Sequence, residues 1–192
     1  MEKNTGVVLR VPSGSYQHFV VMDKKVGKIV GKTVHQSLQR GSLIRYVAHK
    51  KNNVWVLEAL EMVHIPNDMA KDDILFLHHL LELCYYCLPI GSCARDMVTL
   101  FDTLYTLPTP LSRVFKKTVI FKLLIQLGMY PDEMILKAHY FHKIATESID
   151  TIEQAILDLG IEKELDQWLH SCVTGHPHAK YFKTLSLYQR VD

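Results

Sequence analysis

Residues Ser42–Ile65 read SLIRYVAHKKNNVWVLEALEMVHI, and this stretch decides the fold. β-Branched and aromatic residues fill both arms, and Asn52-Asn53 between them is a dipeptide that tolerates left-handed backbone. The pattern predicts a hairpin with strands over Ser42–His49 and Val54–Ile65. The same rhythm continues upstream. Thr5–Val11 (TGVVLRV) ends at Pro12-Ser13-Gly14, and Tyr16–Met22 (YQHFVVM) ends at a polar turn, Asp23–Lys25. Lys28–Val34 (KIVGKTV) precedes the Arg40-Gly41 turn, and Gly31 inside it predicts a bulge or sharp bend. Strands this short, joined by tight turns within about 60 residues, make a small closed barrel.

Pro66 blocks continuation of the ladder, so the chain divides into a β-barrel domain over 1–66 and an all-α domain over 67–192, an α+β architecture. Beyond it the period changes to that of helices. Asp72-Asp73 starts a run with apolar residues at Ile74, Leu77, Leu80, Leu81, Leu83, Cys84 and Cys87. Ser92 is the expected cap of a helix through Leu107, and Thr109 or Ser112 of one through Leu127, stopped by Gly128. Further helices are expected at Asp132–Thr146, Ser148–Leu159, Glu162–Val173 and Ala179–Leu187, broken at Gly160 and Gly175-His176-Pro177.

Charge separates the same two parts. Residues 1–66 hold ten Lys/Arg and four Asp/Glu, a net of +6, and the remainder holds twelve and sixteen, a net of −4. Lys24, Lys25, Lys28, Lys32, Arg40, Arg45, Lys50 and Lys51 lie among the aromatics Tyr16, Phe19, Tyr46 and Trp55. Single-stranded nucleic acid needs this pairing: cations replace phosphate counterions, and flat rings stack with bases. Those eight cations with Tyr46 and Trp55 are therefore the expected nucleic-acid contacts. The plainer reading of each ring is that it fills the barrel.

Other classes find little support. An apolar content of 48% and a charged content of 22% suit a soluble globular chain. The longest apolar runs are interrupted by His78, His79, Glu82, Lys122 and Gln126, short of the roughly 18 residues a membrane span needs. Nothing at the start reads as a signal peptide. Four cysteines make no disulfide framework, so a cytoplasmic protein with reduced thiols is expected. Cys84-x2-Cys87 has no second pair to complete a zinc site, and His139 with His142 lacks the glutamate of a zinc peptidase helix. With no phosphate loop, dinucleotide fingerprint or nucleophile elbow, neither an enzyme, a metal nor a cofactor is expected.

Three segments resemble the bacterial recombination-mediator family RecO: the Gly6-Val7-Val8-Leu9-Arg10 strand leading to Gly27-Lys28-Ile29, the FKKTVIFKLLIQLGMYP stretch over 115–131, and His176-Pro177-His178-Ala179-Lys180-Tyr181-Phe182. The resemblance implies an OB-type barrel followed by a helical domain, and a nucleoid-associated bacterial protein. It also implies DNA binding, strand annealing and recombinase loading in recombinational repair, with a RecR-like protein and the tail of single-strand-binding protein as partners. The zinc-binding cysteine cluster of many members has no counterpart in 132–144. An acidic, apolar-ended tail would meet Arg113, Lys116, Lys117 or Lys122, although helix-face lysines are also commonly just solvated. The alternative is a divergent module of the same architecture that binds RNA or protein.

Overall fold

A computed structural model describes residues 3–13, 18–33, 38–130, 138–149 and 151–184. Five strands, β1 (Asn4–Arg10), β2 (Phe19–Asp23), β3 (Gly27–Thr33), β4 (Leu43–Lys51) and β5 (Val54–His64), close into a barrel in the order β1-β2-β3-β5-β4. The β3–β5 pair is parallel and the others antiparallel. This is the expected five-stranded OB-type barrel. Residues 14–17 and 34–37, with Tyr16 and parts of the second and third expected strands, lie outside the described residues.

The barrel closes because alternate side chains fill it. Val8, Phe19, Val21, Ile29, Ile44, Tyr46 and Leu57 form its core, with Trp55, Leu60 and Met62 partly buried against it. All five β2 residues are buried, since α3 packs against β1 and β2 on the barrel's outer side. Gly31 makes no bulge: it pairs in register with both Phe19 and Trp55. A Cβ there would collide with the Trp55 carbonyl oxygen, so glycine serves close strand approach. The irregularities fall instead within β1 at Val8/Arg10 and in the β4–β5 ladder, where Ala59 takes a φ of 47°.

Asp23 ties the barrel together. It has no exposed surface, and its Oδ1 accepts from the backbone N–H of Lys25 and of Val26, each at 2.8 Å. Tyr46, from β4, donates its hydroxyl to Oδ2 at 2.5 Å. Burial, then the adjacent carboxylate, push the phenol far above its ordinary pKa.

Seven α-helices follow among the described residues: α1 (Asn67–Asp72), α2 (Ile74–Cys87), α3 (Arg95–Thr106), α4 (Arg113–Gln126), α5 (Ala138–Thr146), α6 (Ile152–Leu159) and α7 (Glu162–Thr174). The chain turns helical directly at Pro66, so α1 precedes the expected start at Asp72. Ala94, not Ser92, stands at the N-cap of α3, without a side-chain cap bond. Ser112 caps α4, accepting from the Phe115 N–H at 3.0 Å. Gly128 (φ 82°) and Gly160 (φ 62°) provide the left-handed stops. Residues 131–137, with Asp132 and Glu133, and residues 185–192 lie outside the described residues; the last expected helix is a 3-10 turn over Ala179–Tyr181.

Strand gives way to helix at Pro66, yet compactness divides the chain elsewhere. One unit joins Met1–Leu77 with Leu81–Thr109, so α1 and α3 belong with the barrel; the other joins His78–Leu80 with Pro110–Asp192. In the second unit α4 packs on α6 and α7, and Phe121 meets Trp168 edge-on at 5.0 Å and Phe141 at 5.7 Å. No helix among the described residues is long and apolar enough to cross a membrane.

Tyr46→Phe keeps the ring but removes one of three donors from a buried carboxylate, so urea unfolding should show a loss of about 1.5–3 kcal/mol. A change below about 0.5 kcal/mol, the scatter of ordinary surface substitutions, would deny Asp23 its fastening role.

Candidate nucleic-acid interface

The β4–β5 hairpin presents its cations most openly. Asn52 and Asn53 have φ of 50° and 61°, the two-residue turn whose twist matches the flanking strands. Lys50 and Lys51, at the end of β4, are exposed and pair in register with Trp55 and Val54. The Lys50 ammonium stands 5.0 Å from the centroid of the partly buried Trp55 ring. Lys32 on β3 pairs with Val56, which also faces His49 on β4. Residues paired across a ladder share a face, so Lys32, Val56, His49, Val54 and Lys51 lie on one outer surface of three adjacent strands. Among the described residues neither Lys32 nor Lys51 makes an ion pair.

The other expected contacts are distributed differently. Lys24 and the more exposed Lys25 sit on the β2–β3 turn that Asp23 organises. Arg45 is exposed but opposes Glu61, which also takes the Lys3 ammonium at 2.8 Å. That hydrogen bond, then its charge, hold the Glu61 carboxyl below its usual range. Lys28 turns to α2, donating to the Tyr85 carbonyl at 2.7 Å, and burial lowers its pKa. Arg40 is likewise lowered by burial and faces Glu82. Tyr46 is corrected outright: with 0% of its surface exposed and its hydroxyl on Asp23, no base can stack on it. Phe19 is equally enclosed.

Two of the four cations expected to meet an acidic tail are used inside the second unit. Lys117, 8% exposed, donates to Glu162 at 2.6 Å and Asp166 at 2.7 Å, joining α4 to α7. Lys122 donates to the Glu147 carbonyl at 2.6 Å, and burial lowers its pKa. Arg113 is exposed and lies 3.9 Å from Asp166, and Lys116 is half-buried. Lys117 shares the helical stripe of Ile120, Phe121 and Leu124, a spacing that marks it as inward. His49 and Arg10, absent from the expected contacts, also reach the outer barrel; the strand alternation placing His49 beside Lys51 was the available signal.

Three of the four thiols are disfavoured as thiolates by burial: Cys84, Cys87 and Cys172. Burial pushes Cys87 up to about 12, and Cys84 further. All four cysteines are free, and no group of three metal-ligating side chains occurs among the described residues. His139 and His142 are both exposed on α5. No protein-family model matches the chain, and neither does any curated protein.

Two measurements check this placement. At neutral pH a thiol reagent should modify exposed Cys93 in the folded chain, with Cys84 reacting only after denaturation; rapid labelling of Cys84 would contradict its burial. Lys117 also creates an acid dependence. Its hydrogen bond depresses the Glu162 pKa below 4.5, so the pairing stabilises the fold above that value and is lost as pH falls through the folded pKa. Lys117→Met should cost about 1–3 kcal/mol at pH 7, allowing for the partly exposed Glu162. The deficit should narrow at pH 3; an equal deficit at both values would rule the pairing out.

Proposed function

We propose that the barrel binds single-stranded nucleic acid, DNA foremost, and that the chain is an accessory factor of recombinational DNA repair. The observation that carries the reading is the OB-type strand order with Lys32 and Lys51 on one outer face of β3, β5 and β4, and Lys50 over the partly buried Trp55 ring on the opposite face of the same hairpin. In barrels of this type the strand β2–β3 face and the β4–β5 loop take oligonucleotides. Here that loop is a two-asparagine turn directly after Lys50 and Lys51, so phosphates meet charge held at a strand end. A base arriving at Trp55 displaces or shares the Lys50 ammonium, both being partners for the same π-face.

Such a surface promotes annealing without a nucleophile. Cations lower the repulsion between two phosphate backbones, and base pairing supplies the free energy. The RecO resemblance extends the reading to recombinase loading with a RecR-like protein and single-strand-binding protein. Of the cations considered for the coat protein's acidic tail, Lys117 and Lys122 serve the fold, so exposed Arg113 carries the tail reading.

Fluorescence anisotropy with an oligo-dT and a matched RNA tests the reading. A Lys32/Lys50/Lys51→Gln variant should lower the magnitude of the log–log salt slope by about 2, at about 0.7 per phosphate contact. Trp55→Ala should weaken binding by about 1–3 kcal/mol. Preference for RNA would move the chain to the RNA-binding alternative, and no binding to either polymer would leave protein recognition. For annealing, complementary strands coated with single-strand-binding protein should pair faster with the chain present.

A further inference from the structure

A histidine stands among the outward lysines of the barrel. His49 on β4 pairs in register with Val56 on β5, and Val56 pairs with Lys32 on β3. Lys51 follows two positions later on β4, where alternation returns the side chain to the same face. Two strand spacings, about 10 Å, separate His49 from Lys32, and two residues, about 7 Å, separate it from Lys51. All three belong to one compact unit. The His49 side chain is 41% exposed, so a solute reaches its ring.

One carboxylate faces that ring. His49 Nε2 lies 3.9 Å from Oε1 of Glu58, whose side chain is 58% exposed. The separation is too long for a hydrogen bond, so the ring keeps its N–H for a ligand. The other charges of this face are Lys32 on β3, Lys51 and Arg45 on β4, and Glu61 on β5. Arg45 opposes Glu61, which also takes the Lys3 ammonium, so that end of the face is internally paired. Around His49 two lysines stand against one glutamate, and protonation of the ring makes three cations against one. An imidazole changes charge near pH 6.5, where lysines stay cationic and phosphodiesters anionic.

We propose that His49 is a third phosphate contact of this face, engaged by protonation, with Glu58 as its built-in competitor. The inference rests on the nucleic-acid reading of the barrel and adds to it a residue and a pH dependence. In the neutral form the ring offers one N–H and no charge, and Glu58 repels an approaching phosphate. As imidazolium it donates from both nitrogens and attracts a phosphate oxygen away from the carboxylate. Spaced as they are, Lys51, His49 and Lys32 can each take a phosphate along one extended strand. Binding and protonation are then reciprocal: a ring that binds better when protonated takes up protons when the strand arrives.

Fluorescence anisotropy of the full chain with oligo-dT at pH 8.0 and 5.5, at constant ionic strength, tests the assignment. Neither thymine nor the phosphodiester titrates in that window, so the charge of the probe is fixed. Affinity should rise about three- to tenfold on acidification, and the log–log salt slope should steepen by about 0.7. His49→Gln should flatten the pH profile, whereas His139→Gln, on α5, should keep it. Glu58→Gln should tighten binding at pH 8.0. Calorimetry at pH 6.5 in two buffers of different ionisation enthalpy should show proton uptake on binding by the unsubstituted chain. A flat profile without proton uptake, or an equal rise in His49→Gln, overturns the proposal and leaves the nucleic-acid reading in place. No binding of oligo-dT at either pH overturns both.

Discussion

A buried carboxylate is the constraint on which the barrel depends. Asp23 without donors would carry a desolvation penalty of several kcal/mol. It is met by two backbone N–H groups of its own turn and by the Tyr46 hydroxyl. β1 separates β2 from β4 in the barrel order, so the Tyr46 bond is made across the interior, not along a ladder. One side chain therefore shapes the β2–β3 turn and locks the closure of the sheet. The turn then receives the α2–α3 connection: the Lys24 carbonyl accepts from the Cys93 thiol at 3.5 Å, and Gly27 leaves room for the Ser92 backbone.

The same economy governs the lysines and arginines. A long cationic side chain near apolar surface buries its stem and needs a partner for its head. In the second unit that logic draws Lys117 into a clasp with Glu162 and Asp166, and Lys122 onto the carbonyls of Ala145 and Glu147. In the barrel it turns Lys28 and Arg40 toward α2 and leaves Lys32, Lys50 and Lys51 to solvent. Net charge alone therefore overstates the surface available to a polyanion. The functional reading rests on the outward pair Lys32 and Lys51, held in register by three neighbouring strands, with Lys50 beside Trp55 on the opposite face of the hairpin.

Much of the architecture was legible in local signals. The Asn52-Asn53 turn, the Ser112 cap and the Gly128 and Gly160 stops sit where their chemistry requires, because each acts through atoms a few residues away. α1 was not legible: Pro66 marks the end of the strand and equally suits a helix start. Gly31 was seen as special for the wrong reason, since nothing local reveals that the Trp55 backbone approaches it from a parallel neighbour. At the site, exposed Lys50 and Lys51 were readable from their place beside a turn. The enclosure of Tyr46 was the plainer of its two readings, but its fastening to Asp23 was not readable, because that partner lies 23 residues earlier.

Alternation of period two and the turn residues, by themselves, determined that this chain makes a small antiparallel-rich barrel and then helices, because those preferences act within one turn or one strand. Tertiary structure decided which cations face water, which aromatic is core, and that α1 and α3 join the barrel's unit. Neighbouring residues in a strand point to opposite faces, so outward and inward differ by a single step of register. That step is set by contacts made between strands far apart in the chain.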